Sequence, residues 1–451
     1  MSPAWRAPAA LAVLACAGCA PDPGDDLVIV SFDTVRRDHL PTYGYGRETA
    51  PALDAFARGA VVFDDAYAQE TNTNPSHSSM FTGLYPHTHG NRRNGDRLPA
   101  GRVTLAQILR EAGFRTGAFV SGSTLKRKAC GLERGFEVYD DEFDGKRRAG
   151  ARTTRLALDW LRRRSGERFF LFLHLFDVHG PYLPEGGYRA RFRSPEPGPE
   201  VDVPPYQLVL DEAGNPRRDL NGYVDRYDAM IRYVDDRLAE LLGELDLGRT
   251  IVVVLADHGE TLGERYHKLD HGAQLFDEQI RIPLVLHAPG VAPRRVAGLV
   301  ETVDLLPTLL ELLRVEAVDP LPLQGRSLAA ALRSGGEGTA RDAVFSAARP
   351  VSRRHADRGY RLDRRRQIHS VRSAGWKLIR YPGLAADPLE LYDLAADPAE
   401  RRNVAAERPD IRDEYLGRLD AWLGSADEPL LPPEVDPELL DELRHLGYVG
   451  G

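Results

Sequence analysis

Three strand-length apolar runs limit the folds open to this chain. Leu27–Phe32, Phe169–Leu175 and Ile251–Ala256 are apolar at nearly every position, not at every second one. Such strands have no face to give to water, so they belong inside a sheet covered on both sides. Between them the period changes to that of helices. Ala50–Arg58, Leu105–Ala112, Thr153–Arg163 and Val303–Leu313 read as helices, and Tyr223, Tyr227, Met230, Val234, Leu238 and Leu241 share one stripe of a long amphipathic helix. Val61–Phe63, Thr116–Val120 and Leu284–His287 read as further strands. The alternation predicts an α/β fold, with a central, mostly parallel sheet and helices on both faces.

After about residue 340 the character changes. Val371–Tyr381 alternates, Leu389–Leu394 is a short strand and Arg408–Leu423 reads as a closing helix, which predicts a smaller α+β subdomain. Glu185–Asn221, rich in Pro, Gly and charge, reads as an insertion loop on the active side. The N-terminal run Ala9–Ala17 is too short to span a bilayer and has a signal peptide's apolar length. Small residues precede Cys16 and Cys19, as in a bacterial lipoprotein cleavage box, so export and a lipid anchor in a bacterial membrane are expected. Ordinary secretion with cleavage near Ala20 is the alternative. The expected organisation is a signal peptide over residues 1–19, a tether over 20–26, the main domain over 27–340, the α+β subdomain over 341–425 and a tail over 426–451.

The net charge is -8, with both signs interleaved, so no basic stripe marks a nucleic-acid partner. An anionic substrate must then be held by local groups. Three cysteines occur, and they form neither a disulfide framework nor a CxxC metal pair.

Asp33 directly follows the first apolar run, and Asp257-His258 directly follows the third. Open parallel sheets bind ligands beyond the carboxyl ends of their strands. Either Asp alone could cap a turn or a helix. Two of them, one beside a His, together with Thr73-Asn74-Pro75-Ser76, favour a metal site. Pro75 suits the first turn of a helix towards Phe81, which sets the Thr73 hydroxyl at a helix N-terminus. Free N–H groups and the positive end of the dipole are expected there. Thr73 therefore reads as a metal-activated nucleophile. His174, inside a strand, reads as a core or sheet-face residue, and His87 and His89 as hydrogen-bonding residues.

The segment Thr73-Asn74-Pro75-Ser76-His77-Ser78-Ser79-Met80-Phe81-Thr82-Gly83 resembles the signature of the sulfatase family, within the alkaline-phosphatase superfamily. Supporting motifs follow in the family's order. They are Ser31-Phe32-Asp33-Thr34-Val35-Arg36-Arg37-Asp38, Tyr85-Pro86-His87-Thr88-His89-Gly90, Asp177-Val178-His179-Gly180-Pro181-Tyr182, Asp257-His258-Gly259-Glu260, His271-Gly272, Trp376-Lys377-Leu378-Ile379 and Glu390-Leu391-Tyr392-Asp393. The likeness covers nearly all of residues 27–425 and implies an alkaline-phosphatase-like fold and a metal-dependent ester hydrolase. The departures share a direction. Thr73 replaces the residue oxidised to formylglycine, so no formylglycine can form; His77 replaces the usual Arg. Thr34 replaces a second Asp, His258 an Asn, His271 a Lys, and Ser121 and Ser123 the sulfate-binding Lys and His.

The resemblance implies a divalent metal held by Asp33, Thr73, Asp257 and His258, and that ligand set suits zinc or manganese better than calcium. His179 and His271, with Asp177 in support, would hold a second zinc or the substrate anion and serve the leaving group. His77 and Lys377 would contact substrate. The expected substrate is an anionic ester, a sulfated or phosphorylated glycan, lipid or small molecule. Phosphorus suits a threonine nucleophile better than sulfur, because a threonine sulfate has no hemiacetal route to release. The alternatives are a transferase of phospho-headgroups onto an envelope glycan or lipid, and a non-catalytic glycan-binding homologue.

Overall fold

The first apolar run forms β1 (Asp26–Phe32), buried at every residue. It lies at the middle of an eight-stranded sheet in the computed structural model, which describes residues 26–425 apart from 165, 212, 266, 337–340, 351–359 and 364. The expected signal peptide and tail lie outside the described residues. The other strands of this sheet are β2 (Val61–Tyr67), β3 (Arg115–Val120), β4 (Val138–Asp140), β5 (Phe169–Leu175), β6 (Thr250–Ala256), β9 (Arg281–His287) and β10 (Arg294–Glu301). A two-residue pair, β7 (Thr261–Leu262) and β8 (Leu269–Asp270), stands apart. The order across the sheet is β10-β2-β9-β6-β1-β5-β3-β4.

Seen strand by strand, the sheet is mixed. β9 runs antiparallel to both β2 and β6, and the other pairs are parallel. The described residues of 257–280, between β6 and β9, contain no helix long enough for a crossover, so the chain returns antiparallel. β10 escaped the sequence reading because it is an edge strand, half-exposed along its first residues.

Register places the site. Phe32 pairs with Ala256, so Asp33 and Asp257 leave neighbouring strands at one level. Ser31 pairs with His174 on the other side of β1. Helix Gly150–Arg162 packs on β3 and β5 and against the long helix Leu220–Leu242. Helix Thr73–Thr82 is buried along its whole length, which is why it has no amphipathic stripe to read. It stops at Gly83, whose φ of +67° suits a left-handed cap.

The C-terminal part is an antiparallel sheet of β11 (Val344–Ala348), β12 (Ile368–Arg372), β13 (Trp376–Arg380) and β14 (Leu389–Asp393). Helix Pro409–Gly424 lies on β12 and β13. Its Leu419 and Trp422 pack with Val371, Leu378 and Leu391, and also with Tyr85 and Val303 of the main domain. No helix among the described residues is long and apolar enough to cross a membrane.

Candidate active site

Asp33, Asp257 and His258 converge just past the carboxyl ends of β1 and β6, and all three are fully buried. Asp33 Oδ1, Asp257 Oδ2 and His258 Nε2 have no hydrogen-bond partner among the described residues. One ligand atom from each lies within 4.8 Å of the others. Converging buried acceptors without a donor between them are costly unless a cation neutralises them. These residues therefore fit a divalent ion. The remaining atoms are anchored. Asp257 Oδ1 accepts from Thr34 N at 3.2 Å and His258 N at 2.9 Å. His258 Nδ1 donates to Gly259 O at 2.9 Å, leaving the Nε2 lone pair for the cluster.

The electrostatics agree. Burial pushes the Asp33 carboxyl up to about 7. Asp257 is raised by burial and by Asp33 beside it. Burial opposes a charged His258, but the two carboxylates outweigh it and raise its pKa.

Thr73 is the first residue of helix Thr73–Thr82, and its Oγ1 donates to Asp33 Oδ2 at 3.2 Å. The expected row of free N–H groups at this terminus is corrected. Asn74 N donates to Asn94 Oδ1 at 2.9 Å, Ser76 N to Asn72 O at 3.1 Å, and Pro75 has no N–H.

His77 is also corrected. It lies beneath the cluster, fully buried, with Nδ1 donating to Thr73 O at 2.7 Å and Nε2 accepting from Ser31 Oγ at 2.9 Å. It braces the turn that carries Thr73 from below. His174 is buried as expected, but it is more than core. Its Nε2 lies 3.2 Å from Asp33 Oδ2, and His77, His174 and Asp257 form a second group of ligand atoms within 4.8 Å.

On the other side of the cluster stand His271 and His179. The His258 and His271 ring centroids are 5.0 Å apart, and those of His271 and His179 4.8 Å. His271 Nδ1 lies 3.2 Å from both Glu260 oxygens. Glu260 Oε2 also accepts from Tyr182 Oη at 3.1 Å and Gln207 Nε2 at 3.3 Å. His179 Nδ1 donates to Gly180 O at 2.8 Å, and burial holds the ring well below its usual pKa. Arg147 donates to the carbonyls of His179, Gly180 and Pro181 at 3.1–3.3 Å. Tyr206, in the insertion, places its ring 6.1 Å from that of His179.

Two expected residues sit elsewhere. Asp177 Oδ1 accepts from Gly150 N at 2.9 Å, at the start of helix Gly150–Arg162, and does not orient His179. Burial raises it to about 6. Lys377 is fully buried and pairs with Asp277 at 3.0 Å and Glu400 at 2.7 Å, so it is not an entrance cation.

The sequence reading missed the contacts of His174, Glu260, Arg147 and Tyr206. A histidine interrupting the run Phe-Phe-Leu-Phe-Leu-His-Leu, two strands from Asp257, was a usable signal for His174. Glu260 stood inside a quoted motif. Arg147 lies in a loop and Tyr206 in the short 3-10 helix Pro205–Gln207, and no local pattern reveals the path of either.

Fold and site together define a metal-dependent ester hydrolase of the alkaline-phosphatase superfamily. The Sulfatase family model matches residues 25–315, and that of N-sulphoglucosamine sulphohydrolase, C-terminal, matches residues 266–416. The chain belongs to the sulfatase family. It is 24% identical over 406 residues to an ulvan-active sulfatase of Formosa agariphila, covering 82% of this chain and 76% of the relative. It is 24% identical over 403 residues to the multifunctional alkaline phosphatase superfamily protein PehA of Trinickia caryophylli, covering 69% and 77%. Its fold is similar to that of the phosphonate monoester hydrolase of Agrobacterium radiobacter, with a TM-score of 0.71, 22% identity and coverage of 89% and 95%.

Proposed function

We propose that this chain hydrolyses an anionic phosphoric or phosphonic ester in preference to a sulfuric ester, with Thr73 as nucleophile. The observation that carries this reading is the Thr73 hydroxyl, 3.2 Å from Asp33 Oδ2, beside three buried, unpartnered ligand atoms. A divalent ion held by Asp33, Asp257 and His258, with Thr73 beside it, would lower the hydroxyl pKa and polarise the ester oxygens. Zinc or manganese suits the mixed nitrogen and oxygen donors.

The chain's own groups divide the remaining work. Asp33 Oδ2 accepts the hydroxyl proton and aims Oγ1. His77 holds the turn that carries Thr73. His271, backed by the Glu260 carboxylate, protonates the leaving alkoxide from Nε2. His179, kept neutral by burial and anchored through Nδ1 on Gly180 O, stands beside His271. The Thr73 ester then passes to water. A phosphothreonine can be hydrolysed in the reverse sense; a threonine sulfate has no hemiacetal collapse available.

The named relatives support this breadth, since one is a sulfatase and another a multifunctional member of the superfamily. The substrate we propose is a sulfated or phosphorylated glycan met outside the cytoplasm, with the chain exported as a lipoprotein. Radiolabelled palmitate incorporation lost in a Cys16→Ala, Cys19→Ala variant tests the anchor. The chemistry is tested with aryl sulfate, phosphate mono- and diester and phosphonate substrates in Zn, Mn or Ca. Faster sulfate turnover with Ca overturns the preference for phosphorus, and full activity in Thr73→Ala removes the nucleophile.

A further inference from the structure

A cavity of about 410 Å³ opens between the main domain and the C-terminal subdomain, on the edge of the sheet where the reaction site lies. Its walls are mostly charged, and the carboxylates among them are already matched. Asp38 takes Arg36 Nε at 2.9 Å and Nη2 at 2.6 Å, and Glu264 takes Arg36 Nη1 at 2.5 Å. Glu278 takes Arg265 at 2.7 Å, and Asp277 takes Lys377 at 3.0 Å and Arg372 at 3.3 Å. Arg281 is paired with Asp65 at 2.5 Å.

Two guanidiniums are left over. Arg37 and Arg401 line the cavity and make no ion pair among the described residues. Arg37 is half-buried, lies 4.7 Å over the Tyr43 ring, and its shielded Nε has no hydrogen-bond partner among the described residues. Burial and the neighbouring Arg281 disfavour its charge by more than Tyr43, Asp65 and Tyr67 favour it. A cation kept in such a place calls for a counter-charge.

The far wall is built to stay in place. Arg265 donates to the carbonyls of Ala399 and Glu400, both at 2.8 Å, and Lys377 holds the Glu400 carboxylate at 2.7 Å. Glu400 is kept at a φ of +53°, a left-handed conformation that surrounding contacts must enforce. The near wall joins the reaction site. Arg36 Nη1 donates to Glu260 O at 3.1 Å, and the Glu260 carboxylate backs His271.

We infer that this cavity is an oxyanion subsite, which takes a carboxylate, sulfate or phosphate group carried elsewhere on the substrate chain whose ester is cleaved at Thr73. Arg37 and Arg401 supply the charge, and planar forks suit such groups. The inference rests on the proposed function for the identity of the chain it binds. It makes the substrate a polyanion, recognised at two points.

The test compares wild type, Arg401→Gln and the Arg37→Gln, Arg401→Gln pair. Calorimetry measures binding of a sulfated uronic-acid tetrasaccharide and of inorganic sulfate, and turnover is followed with 4-nitrophenyl esters. The expected result is about tenfold weaker tetrasaccharide binding in Arg401→Gln, more in the pair, with ester turnover unchanged. Equal tetrasaccharide affinity in wild type and Arg401→Gln overturns the inference. So does inorganic sulfate binding as tightly as the tetrasaccharide, which makes the cavity a site for free oxyanions. Arg401 is exposed, so its single variant decides the matter even where the pair fails to fold. No turnover of any 4-nitrophenyl ester by wild type would sink the hydrolytic reading and leave the binding comparison intact.

Discussion

At the scale of single residues, the sequence showed which side chains sit at strand ends but not what they touch. Asp33, Asp257 and His258 were legible because Asp33 and the Asp257-His258 pair each directly follow an apolar run, and the pairing of Phe32 with Ala256 brings them to one level. His77, Lys377 and Asp177 were misread for a common reason. A polar residue in a motif does not show which way it points, and all three are spent inside the protein. His174 was the opposite case, a buried residue whose partner is Asp33, a candidate metal ligand. His174→Phe keeps the ring and removes the nitrogen near Asp33. It is expected to weaken metal binding about 10- to 100-fold, measured against a chromogenic chelator. Unchanged affinity would leave His174 a packing residue. Glu260→Gln tests the leaving-group side. Its neutral amide supports a protonated His271 less well, so kcat should fall about 10- to 100-fold for alkyl esters and little for 4-nitrophenyl esters. An equal loss for both leaving groups would place Glu260 outside proton transfer.

At the scale of elements, strands and helices were read well wherever burial was uniform or periodicity strong. β5 and helix Leu220–Leu242 are examples. β9 was read as a strand but its antiparallel direction was not legible, because direction depends on the path of residues 257–280 across the sheet edge. The contact of helix Pro409–Gly424 with the main domain was equally hidden. Its Trp422 ring lies 4.4 Å from that of His87, in the short helix that follows helix Thr73–Thr82. Burial pulls His87 down to about 4. The unfolded chain takes up that proton near 6.5 and the folded chain only near 4, so the stability it supports is present above pH 6.5 and lost as pH falls towards 4. The loss is on the order of 3 kcal/mol. Acidification from pH 7 to 4 should therefore change Trp422 emission, and His87→Phe should move that transition to lower pH. A transition that stays in place in His87→Phe would assign it to other groups.

At the scale of the whole molecule, the fold class followed from apolar runs and their spacing, and the smaller C-terminal sheet from the change in pattern after residue 340. What joins the two parts could not be read, since Lys377, Glu400 and Asp277 meet from distant stretches of chain. The proposed metal site has a consequence for the stability of the entire fold. Asp33 is raised to about 7 in the folded, metal-free chain, against about 4 when unfolded. A group raised on folding contributes stability at low pH and loses it as pH rises through its folded value. The metal-free protein should therefore lose stability between about pH 4 and 7, by an amount on the order of 4 kcal/mol from Asp33 alone. A divalent ion reverses the sign, because it binds the ionised carboxylates and must displace a proton below about pH 7. Its stabilisation grows with pH and reaches about 4 kcal/mol at a thousandfold excess over Kd. Thermal unfolding with zinc and with chelator should thus give Tm curves that converge near pH 5 and separate by several degrees at pH 8. In Asp33→Asn the two curves should stay close at every pH. Curves separated equally at pH 5 and pH 8 would show that the ion is held by groups other than this buried carboxylate pair.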